Sequence, residues 1–471
     1  MSGAVVVGSG PNGLACAALL ASRGVGVTVI EAAETIGGGT RSAELTLPGL
    51  VHDVCSAVHP MAVGAPSMTS LGLERHGLEW VWPEVDLAHP LDGGDGAAMV
   101  RSIEQTAAGL GEAGPAWRRL FGSSSRRYEA IAEDFTKPLF RVPSHPLLLA
   151  RFGALAGLPA TAVARALPTP QARALFGGVA AHSFGKLSWP LSAAVGTAMI
   201  CAGHQSGWPV ARGGSQAIAE ALARVIRENG GRIETGRPVR SLDELPGADA
   251  VVLDLAPAGV LEVCGGRLPP RVARAYRRYK HGPGAFKLDL AVEGGVPWEL
   301  EAARRAGTVH VSGSFEETAA AERDVNRGRM PARPYVLVAQ QYLADPGRSR
   351  GDVHPIWAYA HVPHGYEGDA TEVVIDQIER FAPGLRDRIL ARSSCSPAEF
   401  AAANANYVGG DVITGSNTPW QMVVRPRLAL NPYATGIPGV YICSAATPPG
   451  GGAHGMCGYN AAQAVLRGLN G

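Results

Sequence analysis

The chain has 471 residues, which is more than one hydrophobic core ordinarily organises. This length predicts two or three domains. Its net charge of +1, without a basic cluster interleaved with aromatic residues, excludes a nucleic-acid-binding function. Seven cysteines without a CxxC pair indicate reduced thiols and a cytoplasmic protein. We expect no signal peptide and no membrane span, because the apolar run at residues 191–203 is too short to cross a bilayer.

The N-terminal segment predicts a strand, a glycine turn, a helix and a second strand. Residues 4–7 and 27–30 are short apolar runs typical of buried parallel strands. Between them, residues 14–22 favour a helix that stops at Gly24. A GxGxxG turn joins the first strand to this helix through three glycines: Gly8, Gly10 and Gly13.

This turn predicts a dinucleotide-binding site. Glycines allow the backbone to approach a pyrophosphate closely, and the helix N-terminus offers free N–H groups to its charge. Glu31 ends the second strand, 18 residues after Gly13, where a carboxylate accepts hydrogen bonds from ribose hydroxyls. The same carboxylate repels a 2′-phosphate, so NADP is disfavoured, whereas NAD and FAD both fit.

The segment at residues 52–60 (HDVCSAVHP) raises the question of a catalytic triad. His52, Asp53 and His59 have suitable side chains, but their spacing is local and the sequence contains no GxSxG motif. A triad is therefore disfavoured. Ser56 and His59 remain candidates for lining a site, with an ordinary structural loop as the alternative.

The middle of the chain predicts two kinds of structure. Residues 210–242 indicate a helix with Ser215 as its N-cap, and residues 247–257 and 439–447 indicate buried strands that share a sheet with the first ones. Residues 80–205 are expected to be mostly helical. Strand-like runs then occur at 285–292, 308–313, 334–342 and 355–363. Four residues are candidates for lining a pocket: Trp208, Lys287, Trp357 and Tyr359.

These elements predict an α/β fold in two domains. One is a Rossmann-like nucleotide-binding domain built from discontinuous segments, and the other is an inserted α+β substrate domain. We predict that the first comprises residues 1–75, 206–278 and 421–471. The second then comprises residues 76–205 and 279–420.

The stretch TPPGGGAHGMCGYNAA at residues 447–462 predicts a backbone cradle followed by a helix from about residue 455 to 466. Its glycine loop leaves backbone N–H groups unshielded, and the helix start adds partial positive charge. His454 has three interpretations: a metal ligand, which lacks partners at ligand spacing; a residue at a cofactor's edge, which is favoured; or a structural histidine. Cys457 is expected to be a packed thiol, and packing is slightly favoured for Tyr459. No metal site is predicted.

The sequence resembles the phytoene desaturase-like branch of the FAD-dependent oxidoreductases. The resemblance rests on the glycine turn, residues 36–42 (IGGGTRS), the Gly213-Gly214 block and above all residues 431–462, and it extends over essentially the whole chain in order. It implies a non-covalently held FAD. The implied cofactor-binding residues, beside the glycine turn and Glu31, are Gly38, Arg41, Val239, Ser444, Gly452 and Met456. Ser444 departs from the family, where many relatives carry Gly-Asp.

The resemblance implies an FAD-dependent oxidoreductase that desaturates a C–C bond of a hydrophobic molecule by hydride transfer to the flavin, with His454 as the candidate catalytic residue. Two alternatives remain open: a flavin-dependent double-bond isomerase without net redox, and a flavin-binding protein without turnover. The expected partner is a lipophilic small molecule. Membrane contact is expected to be at most peripheral, through residues 145–167. The sequence leaves the oligomeric state open.

Overall fold

The computed structural model describes residues 3–138, 140–245 and 247–469. Within them the strands are β1 (Gly3–Val7), β2 (Gly26–Ile30), β3 (Ser42–Glu44), β4 (Val51–Asp53), β5 (Trp80–Val81), β6 (Val85–Pro90), β7 (Gly96–Met99), β8 (Val210–Ala211), β9 (Arg232–Glu234), β10 (Ala250–Leu253), β11 (Gly284–Glu293), β12 (Ala306–Val311), β13 (Val336–Ala339), β14 (Val353–Val362), β15 (Ile389–Cys395) and β16 (Val440–Ile442).

The α-helices of the same ranges are α1 (Pro11–Ser22), α2 (Pro66–Thr69), α3 (Ile103–Gly109), α4 (Gly114–Ser125), α5 (Tyr128–Phe135), α6 (Pro146–Ala156), α7 (Ala160–Arg165), α8 (Pro170–Ala181), α9 (Ala193–Ser206), α10 (Gln216–Glu228), α11 (Pro257–Cys264), α12 (Pro270–Arg277), α13 (Phe315–Val325), α14 (Thr371–Glu379), α15 (Pro397–Ala403), α16 (Pro419–Val423) and α17 (Met456–Leu469). None of these helices combines the length and apolarity that crossing a bilayer requires.

A parallel sheet carries the glycine turn. Its strand order among the described residues is β16-β10-β1-β2-β9, so three separated segments of the chain build it, as predicted. Its central strands are rich in valine because both faces are covered. Helices α1, α10 and α17 pack on one face, and α11 and α12 pack on the other. The predicted Rossmann-like α/β core is confirmed.

A second sheet is mixed and has seven strands among the described residues. Its order is β15-β11-β14-β13-β12-β6-β7, with β12 and β6 parallel and the other neighbours antiparallel. One face packs on α14, and helices α4, α8 and α9 cover part of the other. The four predicted strand-like runs correspond to β11 to β14.

Two sequence expectations differ from the structure in detail. Residues 80–205 are mostly helical, as expected, with helices α3 to α9, but they begin with strands β5, β6 and β7. Every residue of β6 is buried, so no polar alternation marks it, and its sequence VDLAHP carries polar residues in the interior. Ser215 does precede α10, but its side chain does not cap that helix; it donates to the carbonyl of Ser56 at 2.7 Å.

The predicted domain limits at residues 1 and 471 lie outside the described residues. The division of the chain into two domains remains a prediction. All seven cysteines lie within the described residues, and none of them is in a disulfide.

Candidate cofactor and substrate site

The glycine turn packs tightly against the end of β10. Asp254, the residue after β10, accepts a hydrogen bond from the backbone N–H of Gly13 at 2.9 Å. A Cβ on Gly10 would lie 2.8 Å from Asp254 Oδ2, and a Cβ on Gly13 would collide with the carbonyl of Gly8. Gly8 itself has φ +101°, a left-handed conformation that favours glycine. The turn therefore leaves no room for larger residues.

Asp254 adds a carboxyl group to the turn that the sequence did not predict. Burial raises its pKa to about 6, the charge of Glu31 acts in the same direction, and the N–H groups of Gly13 and Gly10 oppose the shift. A protonated Asp254 removes one negative charge from the place where a diphosphate would lie. Near neutral pH this carboxyl is close to its titration range.

Glu31 is held in place by backbone donors. Its Oε2 accepts from the N–H of Ser9 at 2.8 Å, and its Oε1 accepts from the N–H of Ala33 at 2.8 Å. Arg41 Nη2 lies 3.6 Å from Oε1 and donates to the carbonyl of Thr35 at 2.7 Å. Oε2 also accepts from the hydroxyl of Ser9, which occupies its second lone pair. Oε1 is therefore the oxygen that can still accept a hydrogen bond from a ribose hydroxyl.

The next glycine turn lies directly on the first. Gly38 has φ +53°, and a Cβ there would come within 3.0 Å of the Cα of Gly10. Gly39 and Thr40 line the same cavity as Gly10. The two turns that the sequence predicted to contact the cofactor are therefore neighbours, with Arg41 at the end of the second.

The C-terminal stretch forms the predicted loop and helix. Gly452 and His454 line the cavity, and α17 starts at Met456. The Nδ1 atom of His454 accepts from the N–H of Met456 at 3.1 Å, which leaves the ring proton on Nε2. Burial lowers the pKa of His454 to about 4, so the ring is neutral at neutral pH. His454 can therefore donate a hydrogen bond into the cavity.

Eight of the ten predicted cofactor-binding residues are not among those that line the cavity. Gly8, Gly13, Glu31, Gly38 and Arg41 lie in or beside the two glycine turns, and the other three lie elsewhere. Met456 packs in the apolar cluster beside α1. Ser444 is buried, and its Oγ accepts weakly from the N–H of Ala446 at 3.4 Å. Val239 packs on the opposite face of the parallel sheet, with Ile30 and Leu242. Their roles toward a cofactor remain predictions.

Cys457 is a packed thiol. Its Sγ lies 3.4 Å from the carbonyl of Thr447 and 3.3 Å from that of Gly450. Burial raises its pKa to about 11, so the reactive thiolate form is suppressed. Tyr459 packs against the apolar cluster of the parallel sheet. Both residues therefore serve packing in this structure.

A cavity of about 550 Å³ is lined both by the glycine turn and by strands of the mixed sheet. At one end it is lined by Gly10 and Asn12 of the glycine turn, and further along by Gly451 to His454. Its other walls come mainly from α6, α9 and the mixed sheet. The sequence candidates that line it are Ser56, His59, Lys287, Trp357 and Tyr359. Trp208, also a candidate, is instead buried beneath α4 and α8.

Among the described residues, Lys287 is the one lysine or arginine that lines the cavity. It is 1% exposed and forms an ion pair with Asp289, two residues along β11. Its ammonium group also lies 5.9 Å from the centre of the Trp357 ring. The ion pair compensates a charge that would otherwise be costly to bury.

The segment with His52, Asp53 and His59 is structural. Asp53 is fully buried and binds Arg348 at 2.7 Å, while its other oxygen accepts from the N–H of Ser215 at 2.6 Å. Burial opposes ionisation of Asp53, but Arg348 and the Ser215 N–H together hold its pKa below the ordinary value. His59 Nε2 contacts Ser215 Oγ at 2.8 Å. This network joins three chain segments and does not form a Ser-His-Asp triad.

Sequence reasoning missed the loop at residues 404–416. Tyr407, Ile413 and Thr414 line the cavity, and the Tyr407 hydroxyl lies against Gly39. Asp411, fully buried, holds the loop by accepting from the N–H groups of Gly282 at 2.8 Å and Gly415 at 2.7 Å. The pair of glycines at 409 and 410, both with positive φ, was a signal in the sequence that this loop turns sharply.

The residues present fit a dinucleotide cofactor. The Oδ1 atom of Asn12 is buried at the start of α1 and has no hydrogen-bond partner among the described residues. As an acceptor it fits a hydroxyl group of a nucleotide and not a phosphate oxygen. The first turn of this 12-residue helix opens into the cavity, and its partial positive charge favours a phosphate. Within the described ranges, no group of three His, Cys, Asp or Glu side chains is arranged to hold a metal.

Comparisons with known proteins agree with this geometry. Residues 6–68 match the family described as NAD(P)-binding Rossmann-like domain. Pyridine nucleotide-disulfide oxidoreductase domain-containing protein 2 of Rattus norvegicus is 25% identical, over 99% of this chain and 93% of its own length. Hydroxyneurosporene desaturase of Cereibacter sphaeroides is 30% identical, over 62% of this chain and 64% of its own length.

A solved structure of putrescine oxidase bound to putrescine has the same fold. Its TM-score is 0.60 at 16% identity, with 100% of this chain and 99% of that chain covered. The predicted fold class is therefore confirmed. The prediction of an oxidoreductase enzyme is also confirmed by these relatives.

Proposed function

We propose that this chain binds FAD non-covalently and desaturates a C–C bond of an apolar small molecule. The observation that carries the proposal is the cavity that is lined by the glycine turn and also by apolar side chains. Likeness to hydroxyneurosporene desaturase supports the reaction class, and the phytoene desaturase-like resemblance supports the same choice. The seven unpaired cysteines support a cytoplasmic setting as part of the proposal.

In this proposal, different segments of the chain bind different parts of FAD. The start of α1 would bind the diphosphate, and Glu31 would bind the ribose. The loop from Gly451 to His454 would face the ring system, with the Nε2–H of His454 as a donor. Bound FAD would supply a two-electron acceptor able to take a hydride from a C–H bond.

The charges of the cavity disfavour a cationic amine as substrate. Among the described lining residues, Asp254 is the one carboxyl group, and it lies at the glycine turn. Lys287 adds a positive charge on the substrate side, and its carboxylate partner Asp289 is already engaged. A protonated amine would therefore meet no free carboxylate there. An apolar, uncharged substrate fits these walls better than the amine of the putrescine oxidase structure does.

The edge of the cavity supports an apolar substrate. Helix α6 contributes Leu149 and Phe152 to the wall, and α16 contributes Met422 and Val423. Exposed apolar side chains lie on these two helices or near them in sequence: Phe140, Val142, Leu147, Trp420, Leu428 and Leu430. Where exposed apolar side chains adjoin one another, they mark contact with apolar ligands or surfaces. We include peripheral membrane contact at this edge in the proposal.

Anaerobic reduction of the flavin tests the proposal. The purified protein is expected to be yellow and to lose its visible absorption when mixed with an apolar compound that contains an allylic CH2–CH2 group. Primary amines serve as the contrast and are expected to leave the colour unchanged. A colourless protein that binds no added FAD refutes the proposal. If only amines bleach the flavin, the protein is an amine oxidase instead. If turnover of the apolar compound requires pre-reduced flavin, the reaction is isomerisation.

A further inference from the structure

Arg425 carries a buried positive charge without a counter-charge. The residue is 4% exposed, and its guanidinium group forms no ion pair with the described part of the chain. Its hydrogen-bond acceptors are neutral: the carbonyl of Gln421 at 3.2 Å, the Oδ1 atom of Asn417 at 2.7 Å and, weakly, the carbonyl of Ala445 at 3.5 Å. Buried charges are nearly always paired, because removing an unpaired charge from water is costly. An anion that binds beside Arg425 would compensate it.

This guanidinium group lies directly behind the C-terminal glycine loop. A Cβ on Gly450 would come within 2.5 Å of Nη1, so the close approach requires a residue without a side chain. The neighbours Pro449 and Gly451 line the cavity, as does Ala445, whose carbonyl accepts from Nη1. The charge is therefore held against the back of the wall that we propose faces the flavin ring.

The other basic side chains at the cavity are paired or neutral. Lys287 is paired with Asp289. Burial lowers the pKa values of the three histidines that line the cavity, to about 3 in one and about 4 in two: His182, His59 and His454. The Nε2 atom of His182 also lies 3.0 Å from Nε2 of the buried His310. Arg425 is thus the cation beside the glycine loop whose charge remains uncompensated.

A flavin ring supplies the missing negative charge when it is reduced. The oxidised ring is neutral, whereas the reduced ring readily carries a negative charge, and charges near the ring tune its electronics. A fixed cation behind the wall lowers the free energy of the negatively charged form much more than that of the neutral form. Screening is weaker there than at the surface, because the guanidinium group is shielded from water.

We propose that Arg425 is the electrostatic partner of the reduced flavin and that its charge, held behind Gly450, stabilises the negative charge that reduction places on the ring. The inference rests on the proposed function in placing the flavin ring against the glycine loop. It adds the residue that sets the reduction potential, and so determines how readily the bound cofactor accepts a hydride. A purely structural Arg425 would only join the end of α16 to the loop after β16, through the carbonyls of Gln421 and Ala445.

Sulfite affinity and reduction potential test the inference on the full-length protein with its retained flavin. Sulfite adds to the flavin ring and leaves it negatively charged, so its affinity reports the charge stabilisation without turnover. Arg425→Gln removes the charge but keeps a hydrogen-bond donor. We expect it to weaken sulfite binding roughly tenfold or more. The same variant should lower the two-electron reduction potential by about 30 mV for each factor of ten.

Two further variants separate charge from structure. Arg425→Lys keeps the charge, and its sulfite affinity and potential should stay closer to those of the unchanged protein than to those of Arg425→Gln. Arg173→Gln is the matched control, because Arg173 also donates to backbone carbonyls, those of Leu167 and Pro168, and does not line the cavity. Neither its sulfite affinity nor its potential should change.

Several results would overturn the inference. Unchanged affinity and potential in Arg425→Gln, even with lower stability, would reduce Arg425 to its structural role. Equal losses in Arg425→Gln and Arg425→Lys would assign the effect to hydrogen-bond geometry. Should Arg425→Gln fail to fold or to retain FAD, the unchanged protein decides: a potential below that of free FAD, without a sulfite adduct, contradicts the inference.

The outcome is separable from the proposed function. A yellow protein that desaturates apolar compounds, with a potential independent of Arg425, retains the function and loses the inference. A yellow protein whose potential depends on Arg425 but which desaturates no apolar compound retains the inference and loses the reaction. A colourless protein that binds no added FAD refutes both.

Discussion

At the scale of single residues, Gly10 has little room for a side chain. The carboxyl oxygen of Asp254 lies 2.8 Å from where a Cβ would be. We expect Gly10→Val to lower flavin retention by roughly tenfold or more, about 1.4 kcal/mol, because the side chain would occupy the diphosphate position. The ratio of flavin to protein absorbance after gel filtration measures this. Gly109→Ala is the matched control, since a Cβ there meets nothing within 4 Å.

A second residue-scale prediction concerns pH. The pKa of Asp254 in the folded protein is about 6, above the roughly 3.9 of an unfolded aspartate. The stability that its protonation contributes is therefore present below about pH 4 and lost as the pH rises through about 6. Asp254→Asn removes this titration. Relative to the unchanged protein, the variant should gain up to about 3 kcal/mol of unfolding free energy between pH 4 and pH 7.5.

Urea unfolding of the flavin-free proteins at several pH values measures that difference. Asp352→Asn is the control, because the Asp352 side chain is 80% exposed. Its unfolding free energy should follow that of the unchanged protein at every pH. A constant offset between Asp254→Asn and the unchanged protein across the range would contradict the prediction.

At the scale of elements, the start of α17 depends on His454. The histidine accepts from the N–H of Met456, one of the N–H groups that a helix leaves unpaired at its start. His454→Ala should lower the unfolding free energy by about 1 kcal/mol, retain FAD and slow anaerobic bleaching. His454→Asn supplies another acceptor and should recover stability, but not the bleaching rate, if the Nε2–H serves the cofactor. Bleaching at the unchanged rate in both variants would return His454 to a structural role.

The elements also show how far the sequence could predict the fold. The strand, turn, helix and strand around Gly8 to Glu31 were predictable because apolar runs and glycine chemistry are local signals. Strand β6 was not, because a strand buried on both faces shows no alternation and can hold Asp86 and His89. The pair of His182 and His310 lies 128 residues apart in sequence, and only the packing of α8 on β12 brings the two rings together.

The candidate site was predicted only in part, because some of its contacts join residues that are far apart in sequence. Gly10, Gly452, His454 and the pocket residues of β11 and β14 were found from motifs or strand patterns, and all line the cavity. The Asp254 carboxyl was missed, because its importance depends on β10 lying beside β1, a contact between residues 241 positions apart. Asp411 was missed because its hydrogen bonds run to Gly282, in another part of the chain.

At the scale of the whole molecule, one buried arginine joins distant segments through two ion pairs. Arg348 is 1% exposed and binds both Asp53 and Asp345. Arg348→Met should lower the unfolding free energy by about 3–5 kcal/mol, because it leaves buried carboxylates without a counter-charge. The double variant Asp53→Asn, Arg348→Met should recover part of that loss. Urea unfolding measures both, and Arg350→Met, at an exposed position, should change the free energy little.

The order of the sheet β16-β10-β1-β2-β9 has a consequence for synthesis of the protein on the ribosome. Strand β1 and the glycine turn emerge first, but β16 and the loop that faces the turn emerge among the last described residues. Until then the edge of β10 stays unpaired and α1 lacks its contact with α17. A chain that lacks β16 and α17 therefore has an open nucleotide site, and binding of the proposed cofactor would require that these two elements have been made.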